Sequence, residues 1–180
     1  MVAKVTLEVT IEDPRWQAAK LEDLTDEAVQ IVLEHFCIAD ADCEISVLGC
    51  DDLRIAELNR EFRGKPVPTN VLSWPAQERG VDVAGDRPAV PEPDFTGEIP
   101  LGDIAIAFET CEREANEAQK PLADHLRHLI VHGLLHLFGY DHIRDQDATL
   151  MESLEIELLG KMGVDNPYMV EDSPVAGRIG

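Results

Sequence analysis

The sequence predicts an α/β (α+β) fold: a single domain whose small mixed sheet of about four strands is packed with helices. Three observations carry this. Val5-Thr6-Leu7-Glu8-Val9-Thr10-Ile11 alternates apolar and polar residues with the period of a half-buried strand. Residues 24–38 place Ala28, Ile31, Val32 and Phe36 at helical spacing, the pattern of a helix lying on a sheet. A second helix, from about 121 to 137, carries histidines at i and i+4 and is expected at the centre of the fold, facing the sheet across a cleft.

The remaining elements follow in order. Residues 43–48 read as the second strand. Asp51 is placed to cap a helix that runs to Arg63 and ends at Gly64. Beyond Pro66 and Pro68, residues 71–74 form a short strand. Pro88, Pro91, Pro93 and Pro100 stand among several acids in 76–100, a composition that predicts a mobile surface loop. Ile104, Ile106 and Phe108 alternate as the next strand, and helices are expected at about 109–118, 121–137 and 147–159. Pro121 suits the first turn of the histidine-bearing helix. The domain is expected to span 1–165, with a loose tail over 166–180.

Composition narrows the setting. A chain of 180 residues with 44% hydrophobic content can bury a real core. No stretch approaches a membrane span and the N-terminus lacks the apolar block of a signal peptide, so the expected location is the cytoplasm. Cys37, Cys43, Cys50 and Cys111 lack C-x-x-C spacing and are expected to be packed thiols.

The chemistry lies in His132-Gly133-Leu134-Leu135-His136-Leu137-Phe138-Gly139-Tyr140-Asp141-His142. His132 and His136 share a helix face, and Gly139 allows the reversal that brings His142 back over the same ion. Three imidazoles leave one tetrahedral position open, which is the composition of a catalytic zinc site. His128 lies roughly 12 Å from His136 along the axis at 1.5 Å per residue and cannot share the ion. It is assigned, with His35 and His125, to structure or surface. The spacing equals that of the metzincin proteases, yet Gly133 stands where those enzymes have the glutamate that deprotonates zinc-bound water. A peptide hydrolase built here would lack its base. A phosphodiester depends less on that base, because direct charge neutralisation also activates it.

HGLLHLFGYDH, with Phe62-Arg63-Gly64-Lys65 and Pro68-Thr69-Asn70-Val71-Leu72-Ser73-Trp74-Pro75, resembles the YbeY family of bacterial endoribonucleases, and Gly102-Asp103-Ile104 resembles the strand that precedes that family's metal helix. The resemblance covers roughly residues 1–160. It implies one zinc ion per chain on His132, His136 and His142, with nickel possible in a purified sample, and a catalytic Arg63. It further implies single-strand endoribonuclease activity in rRNA maturation near the 3′ end of the small-subunit RNA. Two departures stand out: Trp74 occupies a position where the family often has Phe, and 76–100 is long and proline-rich.

By itself Arg63 reads as a helix-end arginine meeting the helix dipole; the resemblance instead places its paired donors on the scissile phosphate. Arg60 and Lys65 extend that patch or form a solvated cluster. Asn70 and Ser73 line the cleft or cap the turn. Tyr140 and Asp141 orient a ligand ring, or Asp141 bonds nearby backbone amides.

Charge complicates RNA binding. With 36 acidic and 15 basic residues the formal charge is −21, so affinity for a polyanion must be local. A basic ribosomal protein would complement this surface, and the resemblance implies contacts with the small ribosomal subunit and an Era-type GTPase. The alternatives are a metzincin-like metalloprotease and a non-catalytic, metal-stabilised ribosome assembly factor.

Overall fold

Strand β1 (Thr6–Ile11) opens a computed structural model of the protein, which describes residues 5–168. A one-turn helix, α1 (Arg15–Ala18), then seats Trp16 in the core, where its indole N–H donates to the Cys50 carbonyl at 2.8 Å. Helix α2 (Leu21–His35) starts and stops three residues earlier than its periodicity predicts, because the chain turns at Phe36 and passes through a positive φ at Cys37. Strand β2 (Asp42–Cys50) leads into α3 (Asp52–Arg63), whose ends are those expected. The Asp51 carboxylate accepts from the Arg54 amide at 2.8 Å, and Gly64 closes the helix.

Strands β3 (Val71–Pro75) and β4 (Glu98–Ala107) complete one sheet of order β1-β2-β4-β3. β1, β2 and β4 run parallel and the edge strand β3 runs antiparallel, so the four-stranded mixed sheet is as expected. Helices α4 (Phe108–Glu117), α5 (Leu122–Leu137) and α6 (Asp145–Lys161) follow. Phe108 opens α4 rather than closing the strand. Pro121 stands at the N-cap of α5, one residue before its first turn.

β4 begins well before the predicted Ile104, for a reason that period-2 counting cannot see. Glu44 pairs with Pro100 but Ile45 pairs with Gly102, so Leu101 is an extra residue in a bulge. Ile99 and Leu101 on one side of it and Ile104 and Ile106 on the other would fall on opposite faces of a regular strand. The bulge shifts the phase, and all four enter the same core against α2 and α5. Gly102 makes this possible: its φ is +139°, and a Cβ there would lie 2.1 Å from the Trp74 carbonyl oxygen. Gly102→Ala is therefore expected to destabilise the protein by more than about 2 kcal/mol, through strain and backbone overlap together. A denaturant midpoint equal to wild type would sink this account.

Of the 76–100 segment, the last three residues belong to β4; the rest carries no helix or strand, and several of its groups are held against the domain. Pro88 and Pro91 are buried, the Gly85 amide donates to Asp147 at 2.9 Å, and Arg144 donates to the carbonyls of Val81 and Asp82, both at 2.8 Å. The segment forms a wall over the C-terminal end of α5. Of the predicted tail, residues 166–168 carry a turn whose Tyr168 hydroxyl reaches Glu155; 169–180 lie outside the described residues. Among the described residues no helix is long and apolar enough to cross a membrane. The four cysteines are free thiols, and Cys43, Cys50 and Cys111 are buried.

Candidate metal centre

Helix α5 is apolar almost all round, with ten of its sixteen residues buried, so it runs through the middle of the molecule between β3, α2, α4 and α6. Polar groups on such a helix need partners. His128, His132 and His136 form one stripe along it. His132 is buried at 2% exposure, and its Nδ1 lies 2.9 Å from Oε1 of Glu155 on α6. The His136 Nδ1 lies 2.9 Å from the Tyr140 carbonyl oxygen.

The chain reverses after α5 as the motif predicts. Gly139 has φ +99°, and a Cβ there would lie 2.3 Å from the Arg79 carbonyl oxygen, so glycine is demanded both by the turn and by the neighbouring wall. The reversal places the His142 ring centroid 5.2 Å from those of His132 and His136 alike. One ring nitrogen from each of the three histidines falls within a mutual 4.8 Å.

The donor set fits a cation. A carbonyl oxygen only accepts, so the His136 Nδ1 carries the proton and its Nε2 presents a lone pair. The Glu155 carboxyl is ionised. Burial opposes this, but hydrogen bonds from His128 and His132 prevail and hold its pKa down at about 2. His132 accordingly donates from Nδ1 and also presents an Nε2 lone pair. Those two nitrogens face each other at 3.0 Å, where two acceptors repel unless a positive charge sits against both. Burial, and then the neighbouring rings of His132 and His142, push the pKa of His136 down to about 4, which keeps the imidazole neutral as a ligand requires. Three imidazole nitrogens with an open side match a zinc-type site.

Glu155 was not legible as a site residue. It is fully buried on α6 and gathers three donors: His132 through Oε1, and through Oε2 both the His128 Nε2 at 2.6 Å and the Tyr168 hydroxyl at 2.5 Å. A carboxylate on the far nitrogen of a ligand histidine fixes its tautomer and strengthens its basicity. One signal was available, since Glu155 interrupts the apolar stripe Met151, Leu154, Leu158 and Leu159. His128, assigned to structure or surface, is buried against this carboxylate and stands outside the group of three histidines. Asp141 accepts from the His142 amide at 2.8 Å, while the Tyr140 carbonyl holds the His136 ring.

A cleft of about 820 Å³ opens beside the rings and is lined by Arg63, Ser73, Arg79, His136, His142 and Arg144 among others. Arg63 and two of the three histidines thus border one space. Arg60 and Lys65 are exposed, and Phe62 meets Trp74 edge-on at 5.3 Å. Asn70 does not serve the cleft: it is buried, holding Glu114 at 3.0 Å and the Val71 amide at 2.7 Å. Gly133 packs against β4, where a Cβ would stand 3.2 Å from the Ile104 side chain.

Residues 7–163 match the sequence profile of a protein family described as Endoribonuclease YbeY. The chain is 60% identical over 167 residues to an Endoribonuclease YbeY of Ruegeria pomeroyi, which covers 93% of this chain and 100% of the relative. It is 42% identical to that of Methylocella silvestris, over 98% of this chain and 97% of the relative. The solution structure of TM1509 from Thermotoga maritima covers 88% of the chain and 92% of its own with a TM-score of 0.54; at 23% identity it speaks for the fold alone.

Proposed function

The chain belongs to the YbeY family of endoribonucleases, and from that premise we propose that it hydrolyses RNA phosphodiester bonds at one zinc ion held by His132, His136 and His142, with Arg63 as its catalytic arginine. The observation that carries the reading is the convergence of three imidazole nitrogens beside a cleft that Arg63 and two of those rings line. Such an ion supplies Lewis-acid charge at a phosphoryl oxygen and lowers the pKa of a bound water to about 7.

The protein's own groups do the rest. Glu155 and the Tyr140 carbonyl hold the protons on the outer nitrogens of His132 and His136, so the inner lone pairs stay aimed at one point. Arg63 presents a guanidinium fork to the phosphate and neutralises charge that grows on its oxygens. Gly133 carries no carboxylate to serve as base, which counts against the metzincin-like metalloprotease. The non-catalytic assembly factor gains no support from the comparisons, which name endoribonucleases. Nickel would also suit three imidazoles, and affinity alone does not choose.

The family resemblance supports precursor rRNA of the small subunit as substrate and the cytoplasm as location. With a formal charge of −21 the protein needs its cations concentrated at the cleft, and a basic ribosomal protein would offset the repulsion elsewhere. The small ribosomal subunit and an Era-type GTPase complete the expected partners.

Zinc-loaded protein is expected to make a defined cut in precursor small-subunit RNA on assembled particles. Arg63→Ala should lose about 100- to 1000-fold in kcat/KM, the loss typical of one charge-stabilising donor. It should melt with wild type, because Arg63 is exposed. Equal rates would remove Arg63 from the mechanism, and an inactive wild type would remove the ribonuclease.

A further inference from the structure

In a chain with 36 acidic residues a cation usually finds a carboxylate, and Arg15, Arg54, Arg127 and Arg144 each pair with one within 3.4 Å. Arg79 does not follow them. It is half-buried; its Nη2 donates to the Pro100 carbonyl at 3.3 Å, and its Nη1 is sealed from solvent with no acceptor. Only one other side-chain atom among the described residues, the Asn59 Oδ1, shares that condition. Burial pushes the Arg79 guanidinium below the usual arginine range. A desolvated charged donor without a partner is costly, and folded proteins keep such groups mainly where something else fills them.

Position says what that is. The Arg79 backbone lies against Gly139, in the turn between His136 and His142, and its side chain borders the cleft that those two rings and Arg63 also line. The residue is therefore anchored to the metal motif by its own main chain. Nη1 is sealed while Nη2 stays on Pro100, so an anion meets this guanidinium once the side chain turns into the cleft it borders. No carboxylate among the described residues holds its charge, and a guanidinium fork suits phosphate geometry.

We infer that Arg79 binds a phosphate of the RNA strand next to the one held at Arg63 and the histidines, so that the strand lies in the cleft between two arginines. This rests on the RNA hydrolysis proposed above. It gives the 76–97 wall a part in substrate binding, and it makes Arg79 a residue that grips the strand away from the reacting bond.

The test uses a single-stranded oligoribonucleotide with zinc-loaded wild type, Arg79→Met and Arg79→Lys. Methionine keeps an unbranched apolar stem along the same wall. For Arg79→Met, KM should rise on the order of tenfold with kcat within about twofold, as for a contact made equally in ground and transition states. Across a salt series, the slope of log(1/KM) against log salt should become shallower by about 0.7, the counterion share of one phosphate on a single strand. Arg79→Lys should recover that slope, since it restores the charge. A structural arginine would not move the salt slope. Wild-type KM and slope in Arg79→Met would overturn the inference, even alongside a lower Tm, which would mark the residue as packing only. Those results leave the ribonuclease reading intact, whereas a wild type that cuts no RNA overturns both.

Discussion

Replacing His136 with alanine is expected to abolish metal retention and RNA cleavage together while the fold survives. The ring supplies one of three nitrogens that converge within 4.8 Å, and two imidazoles alone leave a divalent ion mostly to water. Bound zinc, measured by elemental analysis after dialysis, should fall from one ion per chain to a small fraction. Cleavage should drop by at least about 1000-fold, since the Lewis-acid charge that the ion would supply goes with it. His136 is only half-buried at the cleft, and its lost bond to the Tyr140 carbonyl costs about 1 kcal/mol, so far-ultraviolet circular dichroism should be unchanged. A variant that holds no zinc yet cuts at the wild-type rate would refute the metal mechanism.

Glu155→Ala should act on stability and on the metal site at once. It strands three donors, on the buried His128 and His132 and on Tyr168, and removing the anion from a buried charged network costs about 3–5 kcal/mol. For a chain of this length that corresponds to a fall in Tm of roughly 10 °C. Among molecules that remain folded, zinc affinity against a chromophoric chelator should weaken about 10- to 100-fold, because the His132 tautomer is no longer fixed. Glu155→Gln separates the two effects. Its amide oxygen can still accept, so stability should partly return while affinity stays reduced by the lost charge. Wild-type zinc affinity in both variants would show that Glu155 serves packing alone.

Legibility followed sequence distance. The metal motif could be read directly because its information is local: one helical turn relates His132 to His136, and one glycine-driven reversal brings back His142. The caps of α3 were legible for the same reason, since Asp51 and Gly64 act on backbone groups a few residues away. The bulge at Leu101 was not, because it shows only against the register of β2. A proline-rich composition says that 76–97 lacks regular structure, yet it does not reveal that Arg144, Asp147 and Gly139 pin the segment over α5.

From the sequence alone came the mixed α/β class, the histidine triad, the absence of a base at Gly133 and a net charge of −21, which sets the expectation of local RNA binding. Only the tertiary structure decided that Glu155 orients His132 across 23 residues, and that Arg79, its Nη1 without an acceptor, joins Arg63 on the walls of one cleft. The division has a physical cause. Helical period and turn chemistry are written in neighbouring residues, whereas a buried carboxylate and an unmatched guanidinium acquire their meaning from what packing brings near them and from the water it removes.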